Sequence, residues 1–227
     1  SGVAHELNNP LSAILLFTED LLSVERSADD VEALSVIAQQ AKRSRAIVRD
    51  LLTFVRSSEL TRTPVASRAL LDGVSRALAP QLAELGVDMS VGVPETEMLH
   101  VDHAAMEQVL TNLVMNAAQA AGSGGLVAVR VRSEPASHVI EVVDDGPGIA
   151  ANVLPRIFEP FFTTKPTGQG TGLGLSVTMG IVRQHGGTIE VENRCPSREG
   201  CTGARFIVRL PAPARAIAVA ADDQSLA

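Results

Sequence analysis

Two glycine-rich segments dominate this sequence: Asp144-Asp145-Gly146-Pro147-Gly148-Ile149 and Gly170-Thr171-Gly172-Leu173-Gly174-Leu175-Ser176. Glycine lets the backbone adopt a positive φ and approach a ligand closely, so that neighbouring amides can converge on an anion. The second segment runs into the apolar residues 175–184, which predict a helix whose N-terminus adds partial positive charge there. The first segment follows the strand-like run 139–143, which places Asp144 at the end of a strand.

A companion signal lies upstream, where the predicted helix 103–121 carries Asn112 and Asn116. These asparagines are one helical turn apart on a shared face, and an amide oxygen is a good ligand for Mg²⁺ at a nucleotide site. The carboxylate of Asp144 can accept a hydrogen bond from an exocyclic amine, and the glycine amides can bind phosphates. We therefore predict a site for a purine nucleoside triphosphate. Taken singly, the glycines would fit tight turns and the asparagines would fit an ordinary helix surface.

The composition describes an acidic protein with an aliphatic core. Of its 227 residues 45% are hydrophobic and only 3% aromatic, with no Trp or Tyr, so we expect Leu, Val, Ile and Ala to form the core. The net charge of −7 argues against a nucleic-acid partner. No apolar stretch reaches the roughly 18 residues of a membrane span, so we expect no membrane contact by this fragment and a cytoplasmic location. Because the sequence begins within a helical pattern, we expect a longer protein, which could be membrane-anchored through a preceding part.

The N-terminal quarter predicts two amphipathic helices. The first covers residues 2 to about 24, and the second follows a turn at 27–30 and runs to about residue 57. Two helices with such wide apolar stripes cannot bury them against each other alone, so the simplest arrangement is a four-helix bundle formed by a homodimer. The stripe positions are Ala4, Leu7, Leu11, Ile14 and Leu21 with Thr18 as a polar exception, and then Val31, Leu34, Ala38, Ala41, Arg45, Val48, Leu52 and Val55.

His5 lies near the start of the first helix, in the run His5-Glu6-Leu7-Asn8-Asn9-Pro10. Pro10 removes the bond to the carbonyl of Glu6 and bends the helix, and we expect His5, beside the apolar stripe, to face solvent. A neutral imidazole nitrogen is a usable nucleophile, and the adjacent Glu6 carboxylate can orient it and take its proton. The alternative is an ordinary surface histidine, which leaves unexplained a proline inside a continuing apolar stripe.

After residue 60 the pattern becomes that of a mixed sheet with helices on one face, an α/β two-layer sandwich. We place a hinge at 61–64, the sandwich at 65–211 and a loosely ordered tail at 212–227. Asp102 is a good N-cap for the helix that follows it, and Gly122 ends that helix. The expected helices are 67–85, 103–121 and 175–184, and the expected strands are 64–66, 87–93, 126–132, 139–143, 188–192 and 204–210.

From residue 1 to about 211, the chain resembles the sensor histidine kinases of bacterial two-component systems. Five segments carry the resemblance in the order typical of that family, and five in register are far more specific than any one alone. His5 to Pro10 resembles the H box, Asn112 to Asn116 the N box, 144–148 the first glycine box, 158–162 the F box and 170–175 the second glycine box.

The resemblance implies a dimerisation and phosphotransfer hairpin over residues 1–60, followed by a catalytic domain of the GHKL (Bergerat) ATP-binding fold. It implies that His5 is autophosphorylated from ATP with the help of Glu6. The phosphoryl group would then pass to an Asp of a response-regulator receiver domain. When the protein instead dephosphorylates that partner, Asn9 would position water.

The same resemblance assigns roles around the nucleotide. Asn116 would bind Mg²⁺, Asp144 would read the adenine amine, and residues 155–170 would form a mobile lid pinned by Phe158 and Phe162. The remaining nucleotide-binding residues that it implies are Asn112, Gly146, Gly148, Lys165, Gly170, Thr171, Gly172, Leu173, Gly174 and Leu175.

Two rival functions stay open at this point. A GHKL ATPase of the chaperone or topoisomerase kind would share the asparagine and glycine boxes but would not need His5 and Glu6 on a kinked, dimerising helix. A dimeric regulator with little autokinase activity, either dominated by phosphatase activity or serving only to bind nucleotide, would keep all five boxes. Near the C-terminus, residues 216–223 faintly resemble the start of a receiver domain, although a disordered tail is the simpler interpretation. For Cys195 and Cys201, reduced thiols are favoured over a disulfide.

Overall fold

The structure is a computed structural model that describes residues 2–55, 60–94, 97–166, 170–194 and 203–212. The predictions for Cys195, Cys201 and the tail after residue 212, including the receiver-like run 216–223, lie outside these residues. In the described part of the chain, none of the helices combines the length and apolar character that crossing a membrane requires.

The N-terminal region is a helical hairpin of α1 (Gly2–Leu22) and α2 (Ala28–Val55). Pro10 lies inside α1. The turn ends at Ser27, whose hydroxyl accepts a hydrogen bond from the Asp30 amide at 3.1 Å and so caps α2. The two helices, their boundaries within two residues, and the N-cap candidates in the turn are as the sequence predicted.

The surface that is buried within one hairpin is narrower than the predicted stripe. Leu15, Ala38 and Ala41 form its buried cluster. Thr18, the polar exception, is also buried, because its hydroxyl donates to the Ile14 carbonyl at 2.6 Å and is thereby satisfied inside the helix. Ile14 and Leu21, by contrast, are 43% and 39% exposed. A single hairpin therefore leaves part of its apolar stripe uncovered.

The rest of the described chain alternates strands and helices. A single 3-10 turn, Leu154–Arg156, precedes α5. The elements are β1 (Thr63–Ala66), α3 (Ser67–Leu85), β2 (Asp88–Gly92), β3 (Met98–Val101), α4 (His103–Ala121), β4 (Leu126–Glu134), β5 (Ser137–Asp144), α5 (Gly174–Gln184), β6 (Thr188–Asn193) and β7 (Ala204–Pro211).

Five strands form a mixed sheet in the order β2-β4-β5-β7-β6, in which β2 and β4 are parallel and the other pairs antiparallel. α4 packs on β4 and β5, and α3 packs on α4. Helices and sheet thus form the predicted two-layer α/β sandwich. Its core is aliphatic, with Leu110, Leu113, Val129, Val142 and Val208 almost completely buried.

A separate two-stranded sheet pairs β1 with β3, with Thr63 opposite Val101. β1 lies where the sequence predicts a strand, whereas β3 is not predicted from the sequence. The strand has only four residues, of which Leu99 and Val101 point into the core. So short an alternation is a weak local signal, and the strand is stabilised by its pairing with a distant part of the chain.

The described contacts divide the chain into two compact units. One comprises Ser1–Glu59 and Ala150–Ile181, and the other comprises Leu60–Ile149 and Val182–Ala227. The second unit holds both sheets with α3 and α4, whereas the lid segment and most of α5 fall in the first. The domain boundaries proposed from the sequence stay predictions.

Candidate functional site

Asp144 is the last residue of β5 and is only 2% exposed. Its Oδ1 accepts a hydrogen bond from the Gly146 amide at 2.9 Å and another from the Ala204 amide at 3.1 Å. Oδ2 takes part in neither bond. One carboxylate oxygen is therefore fixed by the backbone, and the orientation of the whole group is set by β7 and by the turn that follows β5.

Burial raises the pKa of the Asp144 carboxyl above its ordinary value, because the charged form loses hydration. The amides of Ala204 and Gly146 act in the opposite direction, the neighbouring Asp145 adds to the rise, and Arg194 lowers the pKa. A ligand that donates a hydrogen bond to this carboxylate would replace part of the hydration that burial removes.

Two glycines allow the backbone around Asp144 to pack closely. A Cβ on Gly146 would lie 2.7 Å from the carbonyl oxygen of Ala120, near the end of α4. A Cβ on Gly203 would lie 2.0 Å from the carbonyl oxygen of Asp144 itself. Gly146 was expected from the sequence to bind nucleotide. This packing within the protein is itself a reason why the position is glycine. It holds the loop after β5 against the helix that carries Asn112 and Asn116.

Asn193, at the end of β6, was not identified from the sequence. Its amide oxygen accepts from the Ile149 amide and its amide nitrogen donates to the Ile149 carbonyl, each at 2.8 Å. Gly148 precedes Ile149 with a φ of +78°, and a Cβ there would lie 2.8 Å from Asn193 Oδ1. Asn193 and Gly148 together fix the far end of the first glycine segment. An asparagine in a strand gives no local signal for such a role.

Asn112 and Asn116 lie one turn apart on α4 and are half-buried. Their neighbours Leu113 and Ala117 are buried in the core. The helix is capped as predicted, because the Asp102 carboxylate accepts from the Ala105 amide at 3.0 Å. The two side chains therefore lie at the border between the core and solvent, on a helix whose opposite face is held by the core.

The second glycine segment is shaped by contacts inside its own unit. Gly172 has a φ of +67°, and a Cβ there would lie 2.3 Å from the carbonyl carbon of Phe161. A Cβ on Gly170 would lie 2.7 Å from Thr163 Oγ1. Thr171 Oγ1 accepts from the Leu173 amide at 3.2 Å, just before α5 begins at Gly174. Leu173 is buried, and Leu175 is half-buried.

Within the predicted lid, the guanidinium of Arg156 lies 4.4 Å from the centroid of the Phe162 ring and pairs with Glu159 at 3.1 Å. Phe162 is half-buried, whereas Phe161 is 65% exposed with a φ of +66°. Lys165 is also half-buried, and burial lowers the pKa of its ammonium group. Residues 167–169 of the lid are outside the described part.

The structure brings Asn112, Asn116, Asp144, Gly146 and Gly148 together in one unit. The predicted residues of the second glycine segment and Lys165 belong to the other unit, as do His5, Glu6 and Asn9. His5 and Glu6 lie on α1, and their side chains are outside the described structure. Asn9 is exposed.

Two family models match the chain. "His Kinase A (phospho-acceptor) domain" matches residues 1–60, and "Histidine kinase-, DNA gyrase B-, and HSP90-like ATPase" matches residues 101–214. The first contains α1 and α2, and the second contains Asn112, Asn116, Asp144 and both glycine segments.

Curated relatives cover nearly all of the chain. It is 39% identical over 230 residues to the sensor kinase CckA of Brucella abortus (strain 2308), covering 92% of this chain and 23% of CckA. It is 37% identical over 216 residues to the sensor histidine kinase ZraS of Escherichia coli (strain K12), covering 93% of this chain and 44% of ZraS. The chain therefore spans less than half the length of these relatives.

Solved structures are similar over the same span. Full-length ShkA in complex with AMPPNP superposes with a TM-score of 0.75 at 26% identity, covering 92% of this chain and 44% of ShkA. The histidine kinase ThkA in complex with the response regulator protein TrrA gives a TM-score of 0.67 at 27% identity, covering 92% of this chain and 59% of ThkA.

Proposed function

The chain belongs to the sensor histidine kinase family, and we propose that it binds ATP and transfers the γ-phosphoryl group to His5. One observation carries the proposal. A hairpin that matches a phospho-acceptor domain, with His5 on α1, precedes in the same chain an ATPase fold with a buried carboxylate at Asp144. A GHKL ATPase of the chaperone kind or of the topoisomerase kind would not need such a hairpin.

In this proposal Asp144 recognises the adenine. Its Oδ1 is occupied by the amides of Gly146 and Ala204, which orient Oδ2 as an acceptor for the exocyclic amine. A guanine presents a carbonyl oxygen at the corresponding position and would face a carboxylate, so the site selects adenine.

The phosphates and the metal would be held from α4 and from the second glycine segment. Asn116, with Asn112 beside it, offers half-buried amide oxygens of the kind that Mg²⁺ accepts, so these residues fit the cofactor. When bound, Mg²⁺ neutralises part of the phosphate charge. Lys165 would add a cation from the lid. Further contacts would come from the segment Gly170, Thr171, Gly172, Leu173, Gly174 and Leu175.

For transfer, an imidazole nitrogen of His5 attacks the γ-phosphorus, and the bond between that phosphorus and the β–γ bridging oxygen breaks, which releases ADP. Glu6 takes the proton from the ring. The phosphoryl group then passes to an Asp of a response regulator, and the solved complex of ThkA with the response regulator TrrA supports this class of partner. Asn9, exposed on α1, would position water for the reverse task of dephosphorylating that partner.

The exposed apolar residues of the hairpin support a homodimer. Ile14, Phe17 and Leu21 follow each other at steps of three and four residues along α1 and are exposed in a single chain. Ile37 adds an exposed apolar side chain on α2. A second hairpin that covers this stripe would complete the four-helix bundle expected from the sequence.

The location follows from the chemistry. ATP and receiver domains are cytoplasmic, so we propose that this part of the protein acts in the cytoplasm. The proposed reaction is compatible with a longer protein that is anchored in a membrane and equally with one that is not.

Incubation with γ-labelled ATP and Mg²⁺ tests the proposal, with His5→Gln as the variant and His103→Gln as the matched control. His103 is an exposed histidine at the start of α4. We expect acid-labile, base-stable label on the wild type and on His103→Gln, and none on His5→Gln. Nucleotide binding without label would instead identify a regulator with little autokinase activity.

A further inference from the structure

The chain enters its α/β unit through residues that are firmly bonded to that unit. The Thr61 amide donates to Asp102 Oδ2 at 3.1 Å, and the Arg62 guanidinium donates to the carbonyl of Gln184, the last residue of α5. Thr63 then begins β1, which pairs with β3. Residues 61 and 62 of the predicted hinge thus hydrogen-bond to the unit that follows them, and the hinge itself stays a prediction.

Asp102 connects three parts of this unit. Its Oδ2 accepts from Thr61, its Oδ1 caps α4 through the Ala105 amide, and its own amide donates to His185 Nε2 at 3.0 Å. One residue therefore bonds the incoming linker, the N-terminus of α4 and the turn after α5. We call Thr61, Arg62, Asp102 and His185 the linker junction.

His185 is a rigid member of the linker junction. It is 2% exposed, and because its Nε2 accepts a hydrogen bond, the neutral ring carries its proton on Nδ1. Behind it, a Cβ on Gly187 would lie 2.3 Å from the carbonyl oxygen of Arg209, so the turn after α5 is pressed against β7. The turn that carries His185 is thus packed against the sheet.

We propose that Asp102, His185 and Arg62 are positioning residues for phosphoryl transfer, fastening the linker to α4 and α5. This inference rests on the proposed function. A linker that is bonded to the start of α4 restricts the orientations that the unit with Asn112 and Asn116 can adopt about the point where the chain enters it. Transfer between two separate units requires the reacting atoms to meet within a small range of distance and angle, and a loosely attached linker would widen that range.

A purely structural role predicts a different result from a positioning role. If the junction only stabilised the fold, its loss would lower the melting temperature and the nucleotide affinity together. If it positions the unit, its loss would lower the rate of phosphorylation at saturating ATP while nucleotide affinity stays constant.

The test uses Arg62→Ala in the 227-residue chain, because Arg62 is exposed and its loss leaves the core intact. Arg76→Ala is the matched control, since Arg76 is an exposed arginine that also donates to a backbone carbonyl, that of Asp72 at 3.2 Å. Arg62→Lys retains a donor and serves as the rescue. Three quantities are measured: the rate of His5 labelling at saturating ATP, the Kd for a fluorescent ATP analogue, and the melting temperature.

We expect Arg62→Ala to lower the labelling rate on the order of tenfold with Kd unchanged, Arg62→Lys to recover most of the rate, and Arg76→Ala to resemble the wild type. An unchanged rate would overturn the inference. So would a faster rate, which would mean that the junction has to open, or a parallel loss of rate, affinity and stability. A wild type that binds nucleotide but takes no label would overturn the proposed function, and this inference with it.

Discussion

The side chain of Asn193 binds both backbone groups of Ile149. Asn193 Oδ1 accepts from the Ile149 amide and Asn193 Nδ2 donates to the Ile149 carbonyl, each at 2.8 Å. These residues come from β6 and from the loop after β5. The pair closes that loop at its far end, while the amides of Gly146 and Ala204 orient Asp144 at its near end. A side chain outside all five family boxes thus determines the shape of one of them.

Replacing Asn193 by Asp should weaken nucleotide binding without removing the fold. Asp retains the acceptor for the Ile149 amide but loses the donor to its carbonyl. We expect a cost of about 1 kcal/mol in stability, and about twice that for Asn193→Ala, which removes both bonds. Chemical denaturation and ATP-analogue titration measure these effects, with Glu190→Ala at an exposed position of the same strand as control. If Asn193→Asp and Asn193→Ala were as stable as the control Glu190→Ala, Asn193 would not hold the loop after β5 through Ile149.

Gly203→Ala should be severely destabilising. The added Cβ would lie 2.0 Å from the Asp144 carbonyl oxygen, and the φ of +117° is strained for any L side chain. We expect a loss of more than about 3 kcal/mol. Gly180→Ala is the control, because that helical glycine has open space around it and alanine should gain about 0.5–1 kcal/mol there. Urea denaturation of both variants provides the comparison, and a mild effect at Gly203 would show that β7 can shift away from Asp144.

Asp144→Asn should lower the affinity for ATP without lowering the stability of the fold. Since burial raises the carboxyl pKa, the ionised group makes the fold less stable as pH rises from the ordinary value of 3.8 through the higher folded value. Asn is uncharged and its Oδ1 accepts the same two amide bonds. We therefore expect an unchanged or higher melting temperature at neutral pH, with ATP affinity lower by roughly 10- to 100-fold, because an amide donor would meet the adenine amine. A large loss of stability at neutral pH would be evidence against this account.

Phe17→Asp should dissociate the proposed dimer, whereas Leu16→Asp should not. Both side chains are 66% exposed in a single chain, so the two variants are matched in burial. Phe17 lies on the stripe of Ile14 and Leu21, whereas the 100° turn per residue places Leu16 on another face of α1. Light scattering should report a monomer for Phe17→Asp alone. Two dimers, or two monomers, would place the interface elsewhere.

Asp102→Asn should flatten the acid dependence of stability. The bond from the Ala105 amide is the largest cause that holds the pKa of Asp102 below its ordinary value of 3.8, with a further contribution from the Thr61 amide. A lowered folded pKa gives stability that is present above 3.8 and is lost as pH falls through the folded value. The variant lacks this contribution, so the difference in melting temperature from the wild type should be largest at neutral pH and should shrink in acid. A constant difference down to acid pH would contradict the prediction.

The sequence by itself determined the elements and the places of the boxes. α3 and α4 have the predicted bounds, and α4 begins and ends where its caps predicted, because Asp102 and Gly122 act on the residues next to them. Asp144 could be placed at a strand end for the same reason, since an apolar run and the glycines after it are a local signal.

Only the tertiary structure decided which of these residues touch. It paired β3 with β1, set Gly203 against the Asp144 carbonyl, and gave Ile149 its partner in Asn193. It also placed the Thr61 amide against Asp102 Oδ2. Each of these contacts joins residues far apart in the chain, and their side chains carry no pattern that repeats at a helical or strand period. Local periodicity encodes local structure, whereas a hydrogen bond or a close approach between distant segments is fixed only when the sheet register and helix packing bring them together.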